Sequence, residues 1–333
     1  MATEHETKKF MEVLPTLLDY ITGPELMNDD VVVARKWFKK ALEYTNTNVY
    51  PFYGQMVVTF YKHLCPQCTD EELHLARVLG WCVEIWKNAG LMGDDTIDGQ
   101  TVREGKPTWH TFEGVGSMVT LDCGFYYCTV YKLLKKHFGK SPCYVRLFQY
   151  FTDSTFWEFV AVCQDMKSDW RDITSEKCES LNKVKSSVYM CLPLAFAMSL
   201  SGITDDQDYE DVERIFQYIG HWQQDQNDYM DFYGEKMGTD IQEGRCTWLF
   251  GQALTRSSQR QLNTLKANYG QSDPDCVAAI KSLYEQLDLK SVFADHQKRR
   301  HGEAKAMIDK YHGAVPKQLF VKFLNDMVNF KYV

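Results

Sequence analysis

Three aspartates close to the end of a long apolar stretch are the first residues of this chain that could bind a metal ion. Positions 93–98 read Gly-Asp-Asp-Thr-Ile-Asp, so the acidic residues are Asp94, Asp95 and Asp98. Asp94 and Asp98 are four residues apart, which places them on one face of a helix, about one turn from each other. Two carboxylates in that arrangement can share a hard divalent cation such as Mg²⁺. Taken alone, the same pattern is also typical of a solvated helix end.

A second cluster of oxygen ligands occurs more than a hundred residues later. Asn227, Asp231 and Glu235 follow one another at intervals of four, and Asp228 lies beside the first of them. Two helices that each end in such a row predict facing walls that hold several Mg²⁺ ions. Magnesium usually completes its shell with substrate phosphate, and the metal reverses the local charge so that an acidic protein can bind a diphosphate. Gln224, in the same stretch, is a further candidate contact to that diphosphate.

Basic residues accompany both clusters. Arg103 follows the first, Lys236 and Arg245 follow the second, and Lys185 lies on another apolar helix. Each by itself is typical of a solvated surface charge. Beside two metal clusters, the four side chains are candidate ligands of diphosphate oxygens, since charge-assisted hydrogen bonds to phosphate are strong.

The elements that must position these residues are helices. Thr69 and Glu72 form a capping box, and apolar residues then recur every three or four positions as far as Trp86. Further helices are predicted from about 208–211 to 235, over 275–287 and over 303–311. Only 20 glycines and 9 prolines occur in 333 residues, and alternating strands are hard to find. The sequence therefore predicts an all-α bundle in a single domain over residues 1–333.

Composition excludes several classes of function. The net charge of −8 disfavours a nucleic-acid partner, which requires basic surface. The longest apolar run, residues 190–200, is about half the length that a membrane span needs, so we expect no membrane partner. The eleven cysteines are scattered through a large chain without a secretory leader and are interpreted as reduced thiols. A cytoplasmic location is the resulting prediction.

The two clusters and their surroundings resemble the farnesyl diphosphate synthase family along nearly the whole chain. The residues that carry the resemblance are the two acidic motifs, Arg103, Gly105 and Pro107-Thr-Trp109, Gly80-Trp-Cys-Val-Glu84, Lys236-Met-Gly-Thr-Asp-Ile241, Lys266-Ala-Asn-Tyr-Gly270 and Ser282-Leu-Tyr-Glu-Gln-Leu-Asp-Leu289. The resemblance implies a homodimeric all-α fold with a central cavity, three Mg²⁺ ions and a prenyl diphosphate substrate. It also implies metal ligation by Asp94, Asp95, Asp98, Asn227, Asp228, Asp231 and Glu235, and a catalytic role for Asp94, Asp98, Arg103 and Lys185.

Three positions depart from the pattern of that family. Where the family holds isopentenyl diphosphate with a lysine and two arginines, this chain has Tyr50, Tyr53 and Glu104. Burying a second diphosphate without cations is costly, so the sequence predicts ionisation of an allylic diphosphate without a condensation partner. Ala89 and Gly90, in place of bulky aromatics, predict an enlarged cavity floor with room for a fifteen-carbon chain.

The predicted function is therefore that of a terpene synthase. It would convert farnesyl diphosphate into a sesquiterpene hydrocarbon or alcohol plus diphosphate, and it resembles insect enzymes of pheromone biosynthesis. Two alternatives stay open from the sequence. One is a true farnesyl diphosphate synthase with an unusual isopentenyl site, and the other is a catalytically silent regulatory paralogue.

Overall fold

The computed structural model describes residues 3–47, 50–172, 174–234 and 238–328, with the side chains of 172, 182, 184–188 and 328 outside the description. The described chain is almost entirely helical, as predicted. Its helices are α1 Glu4–Ile21, α2 Val32–Thr47, α3 Phe52–Leu64, α4 Asp70–Ile97, α5 Val119–Phe138, α6 Tyr144–Lys167, α7 Ser175–Leu200, α8 Asp206–Tyr233, α9 Asp240–Glu243, α10 Trp248–Arg256, α11 Gln259–Asn268, α12 Pro274–Gln286, α13 Leu289–Lys310 and α14 Lys317–Val328.

Helix α4 begins where the sequence predicts. The Thr69 hydroxyl accepts the backbone N–H of Glu72, and the Glu72 carboxylate accepts the N–H of Thr69, so both halves of the capping box form. The apolar face that follows is buried from Leu73 to Met92. The helix then ends with Asp94 in its last turn and Asp98 as its C-cap. Helix α8 likewise begins at Asp206, two residues before the predicted start, and ends in the second acidic cluster. The predicted segment 303–311 is only the last part of α13, which begins at Leu289.

Helix α7 is central to the bundle, because it packs against α3, α4, α6 and α8. At one of these crossings two glycines allow close backbone contact. A Cβ atom on Gly80 of α4 would lie 2.5 Å from the carbonyl oxygen of Gly54 on α3. The Glu84 carboxylate, one turn further along, accepts the Gly54 N–H at 2.7 Å. This contact fixes α3 against α4 and so positions the residues at the start of α3.

A short antiparallel hairpin interrupts the helices after α4. It pairs β1 Val102–Arg103 with β2 Lys106–Pro107 through a turn in which Glu104 and Gly105 have φ values of 50° and 77°. Two consecutive positive φ angles fit the tight turn of a two-residue hairpin. The sequence does not predict this hairpin because Glu-Gly is a weak turn signal and each strand has two residues. The hairpin returns Arg103 towards the end of α4.

Buried apolar side chains form two clusters, a larger one around α3, α4, α5, α7 and α8 and a smaller one around α10, α12 and the first turns of α13. A single domain over the whole chain stays a prediction. None of the described helices is long and apolar enough to span a bilayer. All eleven cysteines are free thiols, and the cytoplasmic location stays a prediction.

Candidate active site

The first acidic cluster lies at the carboxyl end of α4. Asp95 is buried, accepts a hydrogen bond from Arg103 Nε at 2.8 Å and forms an ion pair with Arg103 Nη2 at 2.6 Å. Asp94 is 47% exposed, with one oxygen 3.7 Å from the same guanidinium. Arg103 is therefore held in place mainly by Asp95, while Asp94 stays nearly half exposed. The region bordered by Asp94, Asp98, Arg103 and Arg245 is called the acidic cleft below. The predicted ligand Asp95 thus serves as the anchor of Arg103.

Arg245 connects the first cluster to two other parts of the chain. Its guanidinium forms ion pairs with Asp98 at the end of α4, with Asp165 on α6 at 2.9 Å and with Glu243 on α9 at 2.9 Å. Arg245 and Asp98 are each only 17% exposed. The side chain predicted to contact diphosphate is thus engaged by carboxylates in this structure. Asp165 is a site residue that sequence reasoning missed, since it lies on α6, far along the chain from both acidic clusters.

The second cluster lies at the end of α8, and its members have different surroundings. Asp231 accepts the N–H of Asp240 at 3.4 Å, and a Cβ on Gly238 would lie 1.4 Å from the Asp231 carboxylate, so only glycine permits this approach. Asn227 is exposed. Asp228 is buried, and its oxygens accept the N–H of Trp248 at 2.6 Å and the Nε2 of Gln224 at 2.8 Å.

These partners change the interpretation of two predicted residues. Gln224 donates to Asp228, whereas the sequence predicts a contact to diphosphate. Asp228 anchors the first residue of α10, three positions after Arg245. The two acidic clusters are therefore joined through the short segment 245–248, which is held by Asp98 at one end and Asp228 at the other.

Three of the predicted residues cannot be placed. Glu235 and Lys236 lie outside the described residues. The backbone of Lys185 belongs to α7, and its side chain lies outside the described residues. Their roles stay predictions.

The charge of the cleft fits a bound cation. Partial burial and the neighbouring Asp98 carboxylate raise the pKa of Asp94 to about 6, although Arg103 and Arg245 oppose that rise. Around these two guanidinium groups lie five carboxylates, those of Asp94, Asp95, Asp98, Asp165 and Glu243. Excess negative charge raises the pKa of an acid, and a divalent cation held by oxygen ligands relieves it. Within the described ranges, no three or more Asp, Glu, His or Cys side chains are grouped closely enough to hold a metal ion. Magnesium binding by Asp94, Asp98, Asn227 and Asp231 therefore stays a prediction.

The positions predicted to have lost their cations lie at the start of α3. Tyr50 is 50% exposed, and its hydroxyl donates to Gln55 at 3.0 Å. Burial and the nearby Glu84 carboxylate raise the pKa of Tyr53 to about 12, so this phenol is neutral. Lys87 lies 5.9 Å from the centre of the Tyr53 ring and is paired with Glu84 at 2.6 Å. Glu104 is exposed at the tip of the hairpin.

The cavity floor beside Gly90 is filled, which corrects the prediction of open space there. Glu158 of α6 lies so close that a Cβ on Gly90 would be 1.9 Å from its Oε1 atom. The Glu158 carboxylate is 6% exposed and accepts hydrogen bonds from the hydroxyls of Tyr127, at 2.9 Å, and Tyr189. Ala89 is buried in the core. The absence of a side chain at Gly90 therefore accommodates a carboxylate from a neighbouring helix.

Glu158 is expected to make stability depend on pH. Burial raises its pKa from 4.5 to about 7, against the lowering effect of the two tyrosine hydroxyls. The folded chain therefore keeps this proton at a pH where the unfolded chain has lost it, and stability falls as pH rises from about 4.5 to about 7. The unfolding free energy of the native chain minus that of Glu158→Gln should fall by about 3 kcal/mol over this range.

Chemical denaturation of both proteins at several pH values measures this difference. Asp153→Asn, which changes an exposed carboxylate on the same helix, provides the matched control for removal of a negative charge from α6. A difference between the native chain and Glu158→Gln that does not vary with pH would contradict the assignment.

Several known proteins are similar to this chain over most of its length. The family model for polyprenyl synthetase matches residues 35–287. The farnesyl pyrophosphate synthase of Mus musculus is 30% identical over 97% of this chain and 96% of its own, and that of Rattus norvegicus is 31% identical over 96% and 95%. A protein of Artemisia spiciformis named monoterpene synthase FDS-5, chloroplastic, is 33% identical over 94% and 82%.

The fold has a close counterpart among solved structures. The crystal structure of farnesyl diphosphate synthase from T. brucei superposes with a TM-score of 0.87 and covers 97% of this chain and 99% of its own. At 23% sequence identity, this similarity supports the fold alone. The predicted all-α class is confirmed.

The comparisons contradict the predicted terpene synthase function. Relatives about 30% identical over nearly the whole of this chain are named farnesyl pyrophosphate synthase, which was the alternative interpretation of the sequence. The name of the Artemisia relative does not outweigh this agreement. The prediction was wrong because it equated the loss of three cationic side chains with the loss of the second substrate.

Proposed function

The chain belongs to the polyprenyl synthetase family, and we propose that it is a magnesium-dependent prenyl diphosphate synthase of the farnesyl type. It would join an allylic diphosphate to isopentenyl diphosphate and release diphosphate. The observation that supports this proposal most directly is the acidic cleft between the ends of α4 and α8, in which Arg245 bridges Asp98, Asp165 and Glu243.

The described residues suggest how the first bond is broken. Bound Mg²⁺ would supply the positive charge that stabilises the departing diphosphate. Arg103, which Asp95 holds, would add a guanidinium group to neutralise the same oxygens. Arg245, paired with three carboxylates, would hold Asp98 in place at the end of α4. As the carbon–oxygen bond breaks, the electron pair leaves with the diphosphate. The new carbon–carbon bond would then form from the isopentenyl double bond, and the departed diphosphate would accept the proton that the adduct loses.

Aromatic side chains below the acidic cleft would protect the carbocation. The Tyr53 and Tyr189 rings are 6.1 Å apart, and the Trp86 ring lies 5.2 Å from that of Tyr189. Such faces stabilise a cation through their π electrons and exclude water that would otherwise capture it. Their placement between α3, α4 and α7 supports this role.

The isopentenyl diphosphate would meet fewer cations than is usual for the resembled family. Tyr50 and Tyr53 supply neutral hydroxyl groups. Lys87 is a buried cation close to Tyr53, but it already forms an ion pair with Glu84. Hydrogen bonds from neutral donors contribute less binding free energy than hydrogen bonds from charged donors. The proposed enzyme therefore uses an isopentenyl site of low intrinsic affinity.

A homodimer is the proposed assembly. Helix α6 exposes Phe156 at 60%, Phe159 at 57% and Trp157 at 51%, and Leu121 of α5 is 58% exposed. Contiguous exposed apolar side chains mark an interaction surface. We expect sedimentation equilibrium to give twice the chain mass of 38.8 kDa, and Phe156→Asp with Phe159→Asp to give one chain mass. A native protein that is monomeric at micromolar concentration would contradict this assembly.

The proposed function can be tested by the substrate requirement for diphosphate release. With Mg²⁺ present, release should require both an allylic diphosphate, such as geranyl diphosphate, and isopentenyl diphosphate. Chelation of the metal should abolish it. Equal release from geranyl diphosphate alone would contradict the proposal.

A further inference from the structure

We propose that Asp225, buried between α8 and α13, is a positioning residue for the reaction. Through His296 and Trp248 it would hold the segment 245–248, which joins the two acidic clusters. This inference rests on the proposed function, because a positioning residue needs a reaction to serve. The Asp225 side chain is 1% exposed, so its effect on the reaction would pass through the residues that it holds.

Asp225 continues the buried stripe of α8. Ile215, Ile219 and Trp222 are buried, and Asp225 follows Trp222 by three residues on the same face. A buried carboxylate is costly unless it is paired, and packing alone would favour an apolar side chain at this position. The charge therefore needs partners, and α13 supplies two of them, His296 and Arg300.

His296 is the closest partner of this carboxylate. Its Nε2 atom lies 2.8 Å from Asp225 Oδ2, and its Nδ1 atom lies 2.9 Å from Arg299 Nη2. Because an arginine side chain can only donate, Nδ1 accepts and Nε2 carries the hydrogen that is donated to Asp225. Arg300 Nε and His221 Nε2 lie further from the carboxylate oxygens, at 3.9 Å and 3.7 Å. The two short contacts fix the orientation of the His296 ring.

The oriented His296 ring packs against Trp248. The two ring centres are 4.9 Å apart, and Phe293, one turn earlier on α13, meets the same indole edge-on at 5.1 Å. Trp248 is 7% exposed and is the first residue of α10. Its backbone N–H donates to Asp228 of α8 at 2.6 Å. Helix α13 therefore holds the indole of Trp248, and α8 holds its backbone.

Trp248 is the fixed end of the segment that begins at Arg245. Arg245 pairs with Asp98 at the end of α4. Without the Asp225 carboxylate, the His296 ring would lose its acceptor, and one of the two ring contacts that hold Trp248 would loosen. The ion pair between Arg245 and Asp98 would then form for less of the time, and turnover would fall.

Hydrogen exchange followed by mass spectrometry tests the positioning without any substrate. Asp225→Leu keeps the branched shape of the side chain but removes the acceptor. Because one hydrogen bond is lost, the backbone amides of residues 245–250 should exchange about fivefold faster or more than in the native protein. The amides of α1, which is remote from this cluster, should exchange at the native rate. Asp225→Asn retains an acceptor for His296 and should restore native exchange.

Two further variants separate positioning from general disruption. His296→Gln keeps a donor for the buried carboxylate but removes the ring that packs against Trp248. It should give the same faster exchange at 245–250 even if Asp225→Leu does not fold. Lys298→Gln changes a side chain of α13 that is 81% exposed and is the matched control, with native exchange expected.

Steady-state kinetics give the second readout. Asp225→Leu should lower kcat about tenfold or more, because a small misplacement of groups around the reacting atoms is costly. The KM for isopentenyl diphosphate should stay unchanged, since its proposed contacts lie at the start of α3 and in the hairpin. Asp225→Asn should recover most of the native kcat, which a mere loss of packing would not explain.

The outcomes distinguish this inference from the proposed function. Native exchange at 245–250 in folded Asp225→Leu and His296→Gln would overturn the positioning role and leave the proposed function intact. Faster exchange with a native kcat would overturn the link between this segment and the reaction. Absence of condensation by the native protein would overturn the proposed function, and with it the catalytic part of this inference, whatever the exchange rates.

Discussion

Asp94→Ala should reduce turnover by about three orders of magnitude or more while leaving the protein folded. Asp94 faces the cleft at the end of α4, is half exposed and has a raised pKa. Removing a carboxylate that holds Mg²⁺ against the diphosphate removes several kcal/mol of transition-state stabilisation, and each 1.36 kcal/mol is about tenfold in rate. Steady-state assays of diphosphate release at saturating substrates and Mg²⁺ measure the effect.

Two controls make this result specific. Asp153→Asn removes an acidic group from the exposed side of α6 and should retain native activity. Asp94→Asn should lose activity at low Mg²⁺ concentration and recover part of it when Mg²⁺ is raised. Native turnover by folded Asp94→Ala would rule out the acidic cleft as the metal site.

The second large effect concerns affinity for isopentenyl diphosphate. Combining Tyr50→Lys with Glu104→Arg restores charge at two positions where the resembled family carries cations. Both side chains are exposed, so the substitutions should be tolerated. Hydrogen bonds to charged groups contribute about 1.5–3 kcal/mol each, so the KM for isopentenyl diphosphate should fall by at least about tenfold. Initial rates at fixed allylic substrate give this KM.

The KM for the allylic diphosphate should stay unchanged in the same variant. Val102→Lys adds a positive charge to the same hairpin at a position that is 55% exposed, and it serves as the matched control for a general electrostatic effect. If Val102→Lys lowered the isopentenyl KM as much as the double variant, the proposed positions would not be specific contacts.

Local sequence signals were sufficient for the elements that carry the two acidic clusters. The capping box at Thr69 and the apolar periodicity after it predict α4, and the spacing of Asp94 and Asp98 predicts their shared face. These features depend on residues within one or two turns of each other. For that reason they can be read without knowledge of tertiary contacts.

Residues that enter the site from distant helices were missed or misinterpreted. Asp165 and Glu158 lie on α6, far along the chain from both acidic clusters, and only tertiary packing brings them to Arg245 and to Gly90. Gly90 predicts open space when only its own side chain is considered, but packing places Glu158 there. The sequence predicts that Arg245 contacts diphosphate, whereas in the structure it pairs with three acidic residues from three segments.

The wrong prediction of function has a related cause. Tyr50, Tyr53 and Glu104 show from sequence that charge is missing, but they do not show what lies beside them. The structure places the buried Lys87 close to Tyr53 and keeps Glu104 at an exposed hairpin tip. Loss of charge at a binding site changes affinity, whereas the proposed reaction would depend on the acidic cluster at the end of α4.

The central claim, that the chain forms a carbon–carbon bond between two prenyl units, is tested most directly by isotope incorporation. Native protein, Mg²⁺, geranyl diphosphate and carbon-13-labelled isopentenyl diphosphate would be incubated and the products analysed by mass spectrometry. The account predicts a labelled diphosphate that is one five-carbon unit longer than the allylic substrate, absent from reactions with Asp94→Ala. Unlabelled products accompanied by stoichiometric free diphosphate would contradict it.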